Sequence, residues 1–484
     1  METTLHIDNE ARPASEQARF ERRSPATGEV VTTGAAASRA DAIAAIEAAD
    51  HAFATWSQTG PGTRRALLLK AAGELEARTG DLVAAMKAEI GAGDLWAHFN
   101  VMMAANEFRE AASLATQIQG ETLPSDKPDC LSMTVRQPVG VILSMVPWNG
   151  PVVLAARAIA YPLVCGNTVV FRASETSPRT HELIAEAIYA AGFPPGTLNF
   201  LTNDPTDAPE LVEAMIAHPA VRRVNFTGST HVGRIIAEHC GRHLKRCLLE
   251  LGDKSPMVVL ADADLEGAVN ATIFGAFLYQ GQICMTTERV IVEDTIADSF
   301  VELLSERAKA LQAGDPRSQA TCALGPIISQ GAADRLNGLL DDAIAKGAGV
   351  RAGGHAEKTL MAATVLDGVT PEMRIYREEA FGPILQVIRV KDADEAVRIA
   401  NDTEYGLSAA VFGSDINRAM SVAMRIQTGS VHINGSTVGG ESQAPYGGTK
   451  SSGWGRFGGG RAVIDEFTEL KALTIQSPRQ QYPF

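Results

Sequence analysis

Hydrophobic and polar positions in the first hundred residues repeat at the spacing of an α-helix. AIAAIEAADHAFATW carries small apolar residues three and four positions apart. Ahead of this run, Ser38 and Asp41 have the form of a capping box, in which each side chain binds the other's backbone N–H. The segments ALLLKAAGELEAR and DLVAAMKAEIGA show the same periodicity. The pattern therefore predicts three helices, the first beginning near Ser38.

From about residue 139 the pattern changes to short apolar runs that alternate with helical segments. VGVILSMVPW, NTVVFRAS, TLNFLT and VRRVNFTG predict buried strands, and PVVLAARAIAYPLVCG, HELIAEAIYAAG and LVEAMIAH predict helices between them. A second series follows a seam near residue 250. Its predicted strands are SPMVVL, RVIVED, ILQVIRV and SVHIN, and its predicted helices are ADLEGAVNATIFGAFLYQ and SFVELLSERAKAL. This alternation predicts an α/β protein with two blocks of parallel sheet and right-handed crossovers.

Two short segments do not belong to either block. LSMTVRQ, within residues 125–137, and ALTIQS, within residues 466–477, alternate like strands. We expect them to be short strands that pair beyond the two main sheets.

Composition limits the classes of partner. The chain has 484 residues, enough for two or three domains, and its net charge of -14 disfavours nucleic acid phosphates and anionic membranes. It has no basic and apolar leader of the secretory type and no apolar run of about 18 residues. The six cysteines lack CxxC spacing, so neither a disulfide scaffold nor a metal site is indicated. A reducing cytoplasm fits this cysteine usage.

Cys284 is the first candidate for chemistry. It follows a predicted helix and a Gly-Gln turn in FLYQGQICMTTERV. Backbone N–H groups at a turn can stabilise a thiolate, which is the nucleophilic form of cysteine. A small buried hydrophobic residue is the alternative interpretation.

Glu250 and Asn149 are candidates for a base and an oxyanion donor. Glu250 ends the run KRCLLE, and burial among leucines would raise its pKa toward that of a useful general base. An outward-facing strand residue is the alternative. Asn149 follows the first buried strand in VPWNGP, where its amide could donate to an oxyanion or simply form a turn.

The segment FTGSTHVG, residues 226–233, is a candidate phosphate site. A strand ends there, Gly228 turns the chain, and a helix is expected to begin near Gly233. A helix N-terminus with small residues can accept a pyrophosphate, but the segment is neither GxGxxG nor a P-loop.

Together these pieces resemble the aldehyde dehydrogenase superfamily over essentially the whole chain. The motifs that carry the resemblance, in the order in which the family has them, are PWNGP, GNTVVFRASE, FTGSTHVG, LLELGDKSP, GQICMTTER, EEAFGP, INGS and PYGGTKSSGWGR. The resemblance implies a Rossmann-like cofactor domain (1–118 and 139–249), an α/β catalytic domain (250–452) and a β oligomerisation arm (119–138 and 453–484). It also implies a homodimer or homotetramer, in which arm strands extend a neighbouring sheet.

The implied chemistry is oxidation of an aldehyde to an acid. Cys284 would attack the aldehyde, and the Asn149 amide with the Cys284 N–H would hold the resulting oxyanion. After hydride loss, Glu250 would activate the water that hydrolyses the thioester. Glu250 argues against the coenzyme A-acylating branch and against an acyl-phosphate reductase. A catalytically silent structural or binding relative is the alternative of a different class.

The resemblance also implies the cofactor contacts. Glu175 matches a carboxylate that binds the adenosine ribose, which favours NAD and leaves NADP as a poorer cofactor. The other implied contacts are Trp148, Arg172, Ser174, Gly228, Ser229, Gly233, Leu251, Glu379 and Phe381. Two departures bear on them. Arg172 stands where the family usually has Lys, and Asp253 where it usually has Gly, so we expect strain at Asp253 if its φ is positive.

The pocket positions favour a small aromatic aldehyde. Gly150 stands where many members have an aromatic residue, and Arg157 follows on the same helix. The remaining predicted pocket residues are Trp96, Met145, Leu278, Ile283, Met285 and Tyr446. We expect Arg157 to bind a ring hydroxyl or the developing carboxylate, and a structural ion pair is its alternative role. ATQIQGETLP, INGSTVGGESQAPYGGTK and the terminal QQYPF resemble the salicylaldehyde dehydrogenases of bacterial naphthalene breakdown, with benzaldehyde and vanillin dehydrogenases as near alternatives.

Overall fold

The computed structural model describes residues 1–319, 321–478 and 482. Its strands, in chain order, are β1 (Leu5–Ile7), β2 (Glu10–Arg12), β3 (Arg19–Arg23), β4 (Val30–Ala35), β5 (Thr122–Leu123), β6 (Leu131–Pro138), β7 (Val141–Met145), β8 (Thr168–Arg172), β9 (Leu198–Leu201), β10 (Val221–Thr227), β11 (Arg246–Glu250), β12 (Pro256–Val259), β13 (Arg289–Glu293), β14 (Gly349–Ala352), β15 (Thr364–Asp367), β16 (Ile384–Val390), β17 (Ser408–Phe412), β18 (Ser430–Ile433), β19 (Gly453–Trp454) and β20 (Thr468–Ile475).

Helices account for most of the remaining described chain. In order they are α1 (Arg39–Trp56), α2 (Pro61–Ala77), α3 (Thr79–Ile90), α4 (Asp94–Leu114), α5 (Pro151–Val164), α6 (Pro178–Ala191), α7 (Ala208–Ala217), α8 (Thr230–Arg242), α9 (Leu265–Phe277), α10 (Asp294–Lys309), α11 (Gln330–Ala345), α12 (Arg374–Arg377), α13 (Ala393–Asn401), α14 (Ile416–Ala423) and α15 (Arg461–Phe467). The predicted capping box is present at α1, where Ser38 Oγ accepts from Asp41 N and Asp41 accepts from Ser38 N.

The first sheet has the strand order β19-β11-β10-β7-β8-β9-β1-β2. Its five central strands, β11 to β9 in that order, are parallel, and β1, β2 and β19 add antiparallel edges that the sequence pattern did not predict. Strand β7 has β8 on one side and β10 on the other, so the direction of chain progression reverses there. Ligands of open α/β sheets bind at the carboxyl ends of the strands at such a switch point.

Each face of the first sheet is covered by helices. Val141, Leu143 and Met145 pack with α1, α7 and α8, whereas Ile142 packs with α4, α5 and α6. The same alternation in β11 places Leu249 with the first set of helices and Leu248 with the second. Because side chains alternate along a strand, the side of Leu248 is also the side of Glu250.

The second sheet has the order β14-β15-β16-β13-β12-β17-β18 and is parallel apart from β14. One face packs against α9 and α10, and the other against α11, α13 and α14. The chain passes from the first sheet to the second between Glu250 and Pro256, which agrees with the predicted seam. The α/β architecture is thus as predicted.

The two predicted outlying strands pair with each other. Strands β6 and β20 are antiparallel along their whole length, from Thr468 opposite Pro138 to Ile475 opposite Leu131, and β5 adds a third strand. Other parts of the predicted arm lie elsewhere. Gly453 and Trp454 pair with β11 in the first sheet, and α15 packs into the core beneath α5 because Val463, Ile464 and Phe467 are apolar and buried. Within the terminal QQYPF segment, all residues but Tyr482 lie outside the described residues.

Candidate active site

Two cavities meet at Cys284 and Asn149. The larger, about 520 Å³, extends along the carboxyl ends of the first sheet's strands, and the smaller, about 200 Å³, lies between α4 and α5. Cys284 and Asn149 are the residues that line both. The predicted nucleophile and the predicted amide donor therefore lie where one cavity opens into the other.

Cys284 follows a tight turn at the end of α9. Tyr279, Gln280 and Gly281 all have positive φ, at 50°, 44° and 70°. The Gln280 amide holds this turn by donating to Pro326 O at 2.9 Å and accepting from Gly325 N at 3.0 Å. A side chain at Gly281 would overlap the Gly382 carbonyl oxygen, so only glycine lets the turn approach the EEAFGP segment this closely.

Asn149 is held beside the nucleophile by contacts at both ends. Its amide Nδ2 donates to Gln282 O at 3.1 Å, two residues before Cys284. Its backbone carbonyl accepts from the Trp96 indole at 2.9 Å. An amide nitrogen has two protons, so one remains for an oxyanion formed at Cys284.

Glu250 ends β11 and is only 1% exposed. Its Oε1 accepts from the Tyr446 hydroxyl at 3.2 Å, while its buried Oε2 has no partner among the described residues. Burial raises the pKa of Glu250 to about 7, although the neighbouring Cys284 thiol, the charge of Arg157 and the hydrogen bond from Tyr446 oppose the rise. Such a carboxyl group can take a proton from water near neutral pH.

Tyr446 contacts both reactive groups. Its hydroxyl lies 3.1 Å from Cys284 Sγ and 3.2 Å from Glu250 Oε1. Burial first, and the nearby Glu250 charge second, raise the pKa of the Cys284 thiol well above its usual value. The isolated protein therefore holds Cys284 mainly as a thiol, and attack on a carbonyl requires a group that favours the thiolate.

The larger cavity fits a dinucleotide. Of the predicted cofactor residues, Trp148, Gly228, Ser229, Leu251, Glu379 and Phe381 line it. Helix α8 begins at Thr230 with Ser229 as its N-cap, three residues earlier than the expected start at Gly233. Its N-terminus thus faces the cavity, and anions are stabilised at such a position. A side chain at Gly233 would overlap Leu251, so this glycine permits close packing of α8 on the sheet.

Glu379 and Phe381 are positioned by a buried ion pair that the sequence analysis missed. Lys254 Nζ contacts the Glu288 carboxylate, which accepts from Ala380 N at 2.8 Å and Phe381 N at 2.9 Å. This holds Phe381 at a φ of 49°, with its ring edge-on to Trp148 at 5.9 Å. The members are far apart in sequence, and no local pattern joins them.

Arg172, Ser174 and Glu175 lie beyond the enclosed cavity, at the end of β8 beside β7. Arg172 donates to Asn203 Oδ1 at 2.7 Å and to Glu175 Oε2 at 3.2 Å. The cation and the carboxylate that were predicted to bear on NAD selectivity are therefore paired with each other.

Asp253 does not carry the strain expected for a positive φ, because it is not among the residues with positive φ. Its carboxylate points toward the second sheet, where it accepts from Leu407 N at 3.1 Å and Ser408 N at 3.0 Å. Its backbone N–H donates to Glu379 Oε1 at 3.1 Å. Asp253 thus joins the two sheets and does not line the cofactor cavity.

The smaller cavity is apolar apart from Arg157 and the amide of Asn149. Five of the predicted pocket residues line it, namely Trp96, Gly150, Arg157, Ile283 and Met285. The Trp96 ring stacks on Tyr279 at 5.2 Å and on Phe99 at 5.8 Å, which forms a flat wall. A Cβ at Gly150 would lie 3.4 Å from Val153 and Leu154, so a larger side chain would have to occupy the cavity.

Three predicted pocket residues lie elsewhere. Met145 does not line the cavity, because the alternation of β7 turns its side chain toward α1, α7 and α8. Leu278 packs against the first core from the turn before Cys284 and is also absent from the lining. Tyr446 contacts Cys284 and Glu250 instead of forming a wall.

Arg157 forms a buried ion pair as well as lining the cavity. Its Nε donates to Glu107 Oε1 at 2.9 Å, and Tyr161 donates to the other oxygen of Glu107 at 2.6 Å. Its guanidinium lies over the Tyr446 ring, 4.7 Å from the centroid. The alternative role of a structural ion pair is therefore present in the structure.

Several residues of this cavity were not predicted from the sequence. Phe99 and Met103 follow Trp96 on α4, and Val153 and Leu154 lie between Gly150 and Arg157 on α5. Both sets have the three- and four-residue spacing of one helix face, which is the signal that would have found them. Phe274, Val438, Gly439 and Gly440 complete the lining without such a signal.

Comparison with known proteins identifies the family. The model of the aldehyde dehydrogenase family matches residues 12–473. The chain belongs to the aldehyde dehydrogenase family. This makes it an aldehyde-oxidising dehydrogenase, and enzymes of this family use NAD or NADP.

Individual relatives include enzymes named for aromatic aldehydes. The chain is 60% identical to a salicylaldehyde dehydrogenase of Pseudomonas putida over 484 residues, which covers 100% of both chains. It is 51% identical to a vanillin dehydrogenase of Pseudomonas fluorescens over 483 residues, again 100% of both. A crystal structure of a salicylaldehyde dehydrogenase from Pseudomonas putida G7 complexed with salicylaldehyde matches with a TM-score of 0.99 and 58% identity, covering 100% of each chain.

No helix among the described residues is both long enough and apolar enough to cross a bilayer.

Proposed function

We propose that this aldehyde dehydrogenase oxidises salicylaldehyde to salicylate with NAD, as a cytoplasmic enzyme of aromatic-hydrocarbon breakdown such as that of naphthalene. The observation that carries the proposal is the junction of the two cavities at Cys284 and Asn149. An aldehyde carbon at that point would contact the sulfur of Cys284, and its oxygen would contact the amide of Asn149. The ring attached to that carbon would lie in the smaller cavity. The similarity to enzymes named for salicylaldehyde supports the substrate.

The chemistry of the smaller cavity favours a ring. Trp96, Phe99 and Ile283 supply apolar walls, and Gly150 leaves space beside Asn149 that a side chain would fill. Pockets of this kind pair apolar walls with few polar groups. Arg157 is the cation at the wall, and we assign it a hydrogen bond to the ring hydroxyl. Its charge is balanced by Glu107, which suits a neutral hydroxyl better than a carboxylate.

Acylation begins at Cys284. Cys284 first loses its thiol proton to solvent. The thiolate then attacks the aldehyde carbon and forms a C–S bond, while the former carbonyl oxygen becomes an oxyanion held by the Asn149 amide. When bound in the larger cavity, NAD supplies the acceptor for the hydride. Loss of that hydride leaves a thioester on Cys284.

Deacylation belongs to Glu250. Its Oε2, which is buried and has no partner among the described residues, takes a proton from water as the water oxygen attacks the thioester carbon. The C–S bond breaks, the sulfur leaves as a thiolate and the acid departs. A pKa of about 7 lets Glu250 accept this proton and release it to solvent afterwards.

The preference for NAD rests on residues at the end of β8. The Glu175 carboxylate would accept from the ribose hydroxyls and repel a 2′-phosphate. Arg172 pairs with that carboxylate, so its charge is not free for a phosphate while the pair is intact. NADP would then bind more weakly.

A homodimer or homotetramer is part of the proposal. The exposed side chains of the three-stranded arm include Leu131, Leu470 and Ile475, which are apolar. Paired apolar strands at the surface suit contact with another copy of the chain. Light scattering on the purified protein measures the oligomeric state.

The test is NADH formation, followed by absorbance, with salicylaldehyde, benzaldehyde, vanillin and hexanal. We expect the highest kcat/KM with salicylaldehyde and no turnover by Cys284→Ala, with Cys322→Ala as a control for loss of a thiol. Preference for benzaldehyde or vanillin would correct the substrate within the aromatic class. Turnover confined to hexanal would contradict the ring pocket, and no turnover at all would favour a silent relative.

A further inference from the structure

The Tyr446 hydroxyl stands between two groups that act at different stages of the proposed reaction. It lies 3.1 Å from Cys284 Sγ and 3.2 Å from Glu250 Oε1, and the residue is 7% exposed. A phenol has one proton to donate, so it can serve only one of these acceptors at a time. Neither position requires the ring to move, because rotation about the C–O bond redirects the proton.

We propose that Tyr446 is a catalytic residue whose hydroxyl donates first to the Cys284 thiolate and then, once the sulfur is acylated, to Glu250. This inference rests on the proposed roles of Cys284 and Glu250. Before attack, the thiolate is the more basic of the two acceptors, because the pKa of Cys284 lies above that of Glu250. After acylation the thioester sulfur carries no charge and accepts poorly, so the proton turns to the carboxylate.

Donation to Oε1 also selects the oxygen that acts as base. Oε2 has no hydrogen-bond partner among the described residues and is buried. With Oε1 occupied by Tyr446, Oε2 is the oxygen left to receive the proton of water. The hydroxyl itself is unchanged at the end of the cycle, so no proton or electron is gained or lost through it.

The other charges around Tyr446 are fixed by neighbouring elements. Arg157 from α5 lies over the phenol ring and is paired with Glu107 from α4. Asp253, on the segment after β11, is the further carboxylate that acts on Glu250. Removal of the Tyr446 hydroxyl alone leaves these three charged residues in place. A change in the titration of Cys284 or of Glu250 can then be assigned to the hydroxyl.

Tyr446→Phe removes the hydroxyl and keeps the ring beneath Arg157. Tyr189→Phe is the matched control, since Tyr189 is a largely buried tyrosine whose hydroxyl donates to Leu198 O, away from the catalytic groups. The first measurement is the rate of alkylation of Cys284 by iodoacetamide against pH, followed by mass spectrometry of the Cys284 peptide. Because Tyr446→Phe lacks a donor to the thiolate, the midpoint of its alkylation-rate profile should lie about one pH unit higher than that of the wild type. Below the midpoint, this corresponds to roughly tenfold less thiolate.

The second measurement is the steady-state rate after the NADH burst, which reports deacylation. In the wild type, the acid limb of the pH profile of this rate is expected at about pH 7, from the pKa of Glu250. Loss of a donor to the carboxylate should move this limb to higher pH as well. Both midpoints should stay unchanged in Tyr189→Phe.

The proposal requires both shifts. A lower plateau rate with both midpoints unchanged means that Tyr446 only packs, and a shift in one midpoint alone overturns a donor shared between the two groups. The alkylation experiment needs neither aldehyde nor cofactor. If the wild-type protein oxidised no aldehyde, the proposed function would fail while the alkylation midpoint still tested the contact with the thiolate.

Discussion

The two cavities that meet at Cys284 are made of different parts of the chain. The larger is lined by strand ends and loops, where backbone and glycine set the shape, and a Cβ at Gly252 would lie 2.7 Å from Glu379 Oε2. The smaller is lined by side chains on one face each of α4 and α5, among them Trp96, Phe99 and Arg157. Substitutions in the larger cavity should therefore weaken cofactor binding by placing side-chain atoms against the backbone. Substitutions in the smaller cavity should change substrate choice by altering the side chains on one face of α4 or α5.

The two cavities also contact different parts of the protein. The larger cavity is tied to the second sheet by Asp253 and by the pair of Lys254 and Glu288. The smaller cavity is tied to Glu250 by Arg157 and Tyr446.

The largest effect is expected for Glu250→Gln, which removes the base and leaves acylation possible. The protein should produce about one NADH per site in a burst, followed by a steady-state rate about 10²–10⁴ times lower than that of the wild type. In the wild type this rate should rise with pH through about 7, because the group acts only as a carboxylate. Stopped-flow absorbance measures both phases, and a full steady-state rate would exclude Glu250 as the base.

Arg157→Leu should lower stability by about 3–5 kcal/mol, because it leaves the Glu107 carboxylate buried without its partner. The double variant Arg157→Leu/Glu107→Leu should recover most of this stability, as measured by thermal unfolding. In both variants the KM for salicylaldehyde should be raised and the KM for NAD unchanged. If the KM for salicylaldehyde recovers together with stability, Arg157 serves only in the ion pair.

Gly150→Leu should fill the space beside Asn149. Overpacking costs about 1–3 kcal/mol, so kcat/KM for salicylaldehyde should fall roughly 10- to 100-fold, with less effect on the slimmer hexanal. Gly73→Leu is the control, since no atom lies within 4 Å of a Cβ at that position on α2. An equal fall for both aldehydes would argue that Gly150 does not shape the ring pocket.

The smallest effect is expected for Glu175→Gln at the cofactor end. Removing the carboxylate should favour NADP relative to NAD by about 1 kcal/mol, or roughly fivefold in the ratio of kcat/KM values. Glu186→Gln is the matched control, because Glu186 is similarly exposed and also pairs with an arginine. An unchanged ratio would show that Glu175 does not select the cofactor.

Much of this architecture could be predicted from local pattern. The capping box of Ser38 and Asp41, the alternation of strands and helices, the seam near 250 and the two outlying strands are all present. The antiparallel edges β1, β2 and β19 could not be predicted, because short edge strands carry little periodicity of their own. Trp454 lies in such a strand, which pairs with β11 although the two are some 200 positions apart in the chain.

The candidate site divides in the same way. Residues in contiguous motifs, such as Gly228, Ser229 and Glu379, line one cavity together because a motif keeps its local backbone geometry. Met145 was wrong as a pocket residue, since a strand turns alternate side chains to opposite faces and the pattern does not say which face meets which helix. Phe99 and Leu154 were missed although their helical spacing was visible.

The sequence by itself determined the alternation of elements, the presence of a cysteine, a carboxylate and an amide in recognisable motifs, and the excess of negative charge. These depend on neighbours along the chain, whose geometry is local. Only the tertiary structure decided that Tyr446 bridges Cys284 and Glu250, that Arg157 pairs with Glu107, and that Asp253 reaches Leu407. Those contacts join segments from 50 to nearly 200 residues apart. A polar group is costly to bury unless it has a hydrogen-bond partner, and these partners come together only when the whole chain has folded.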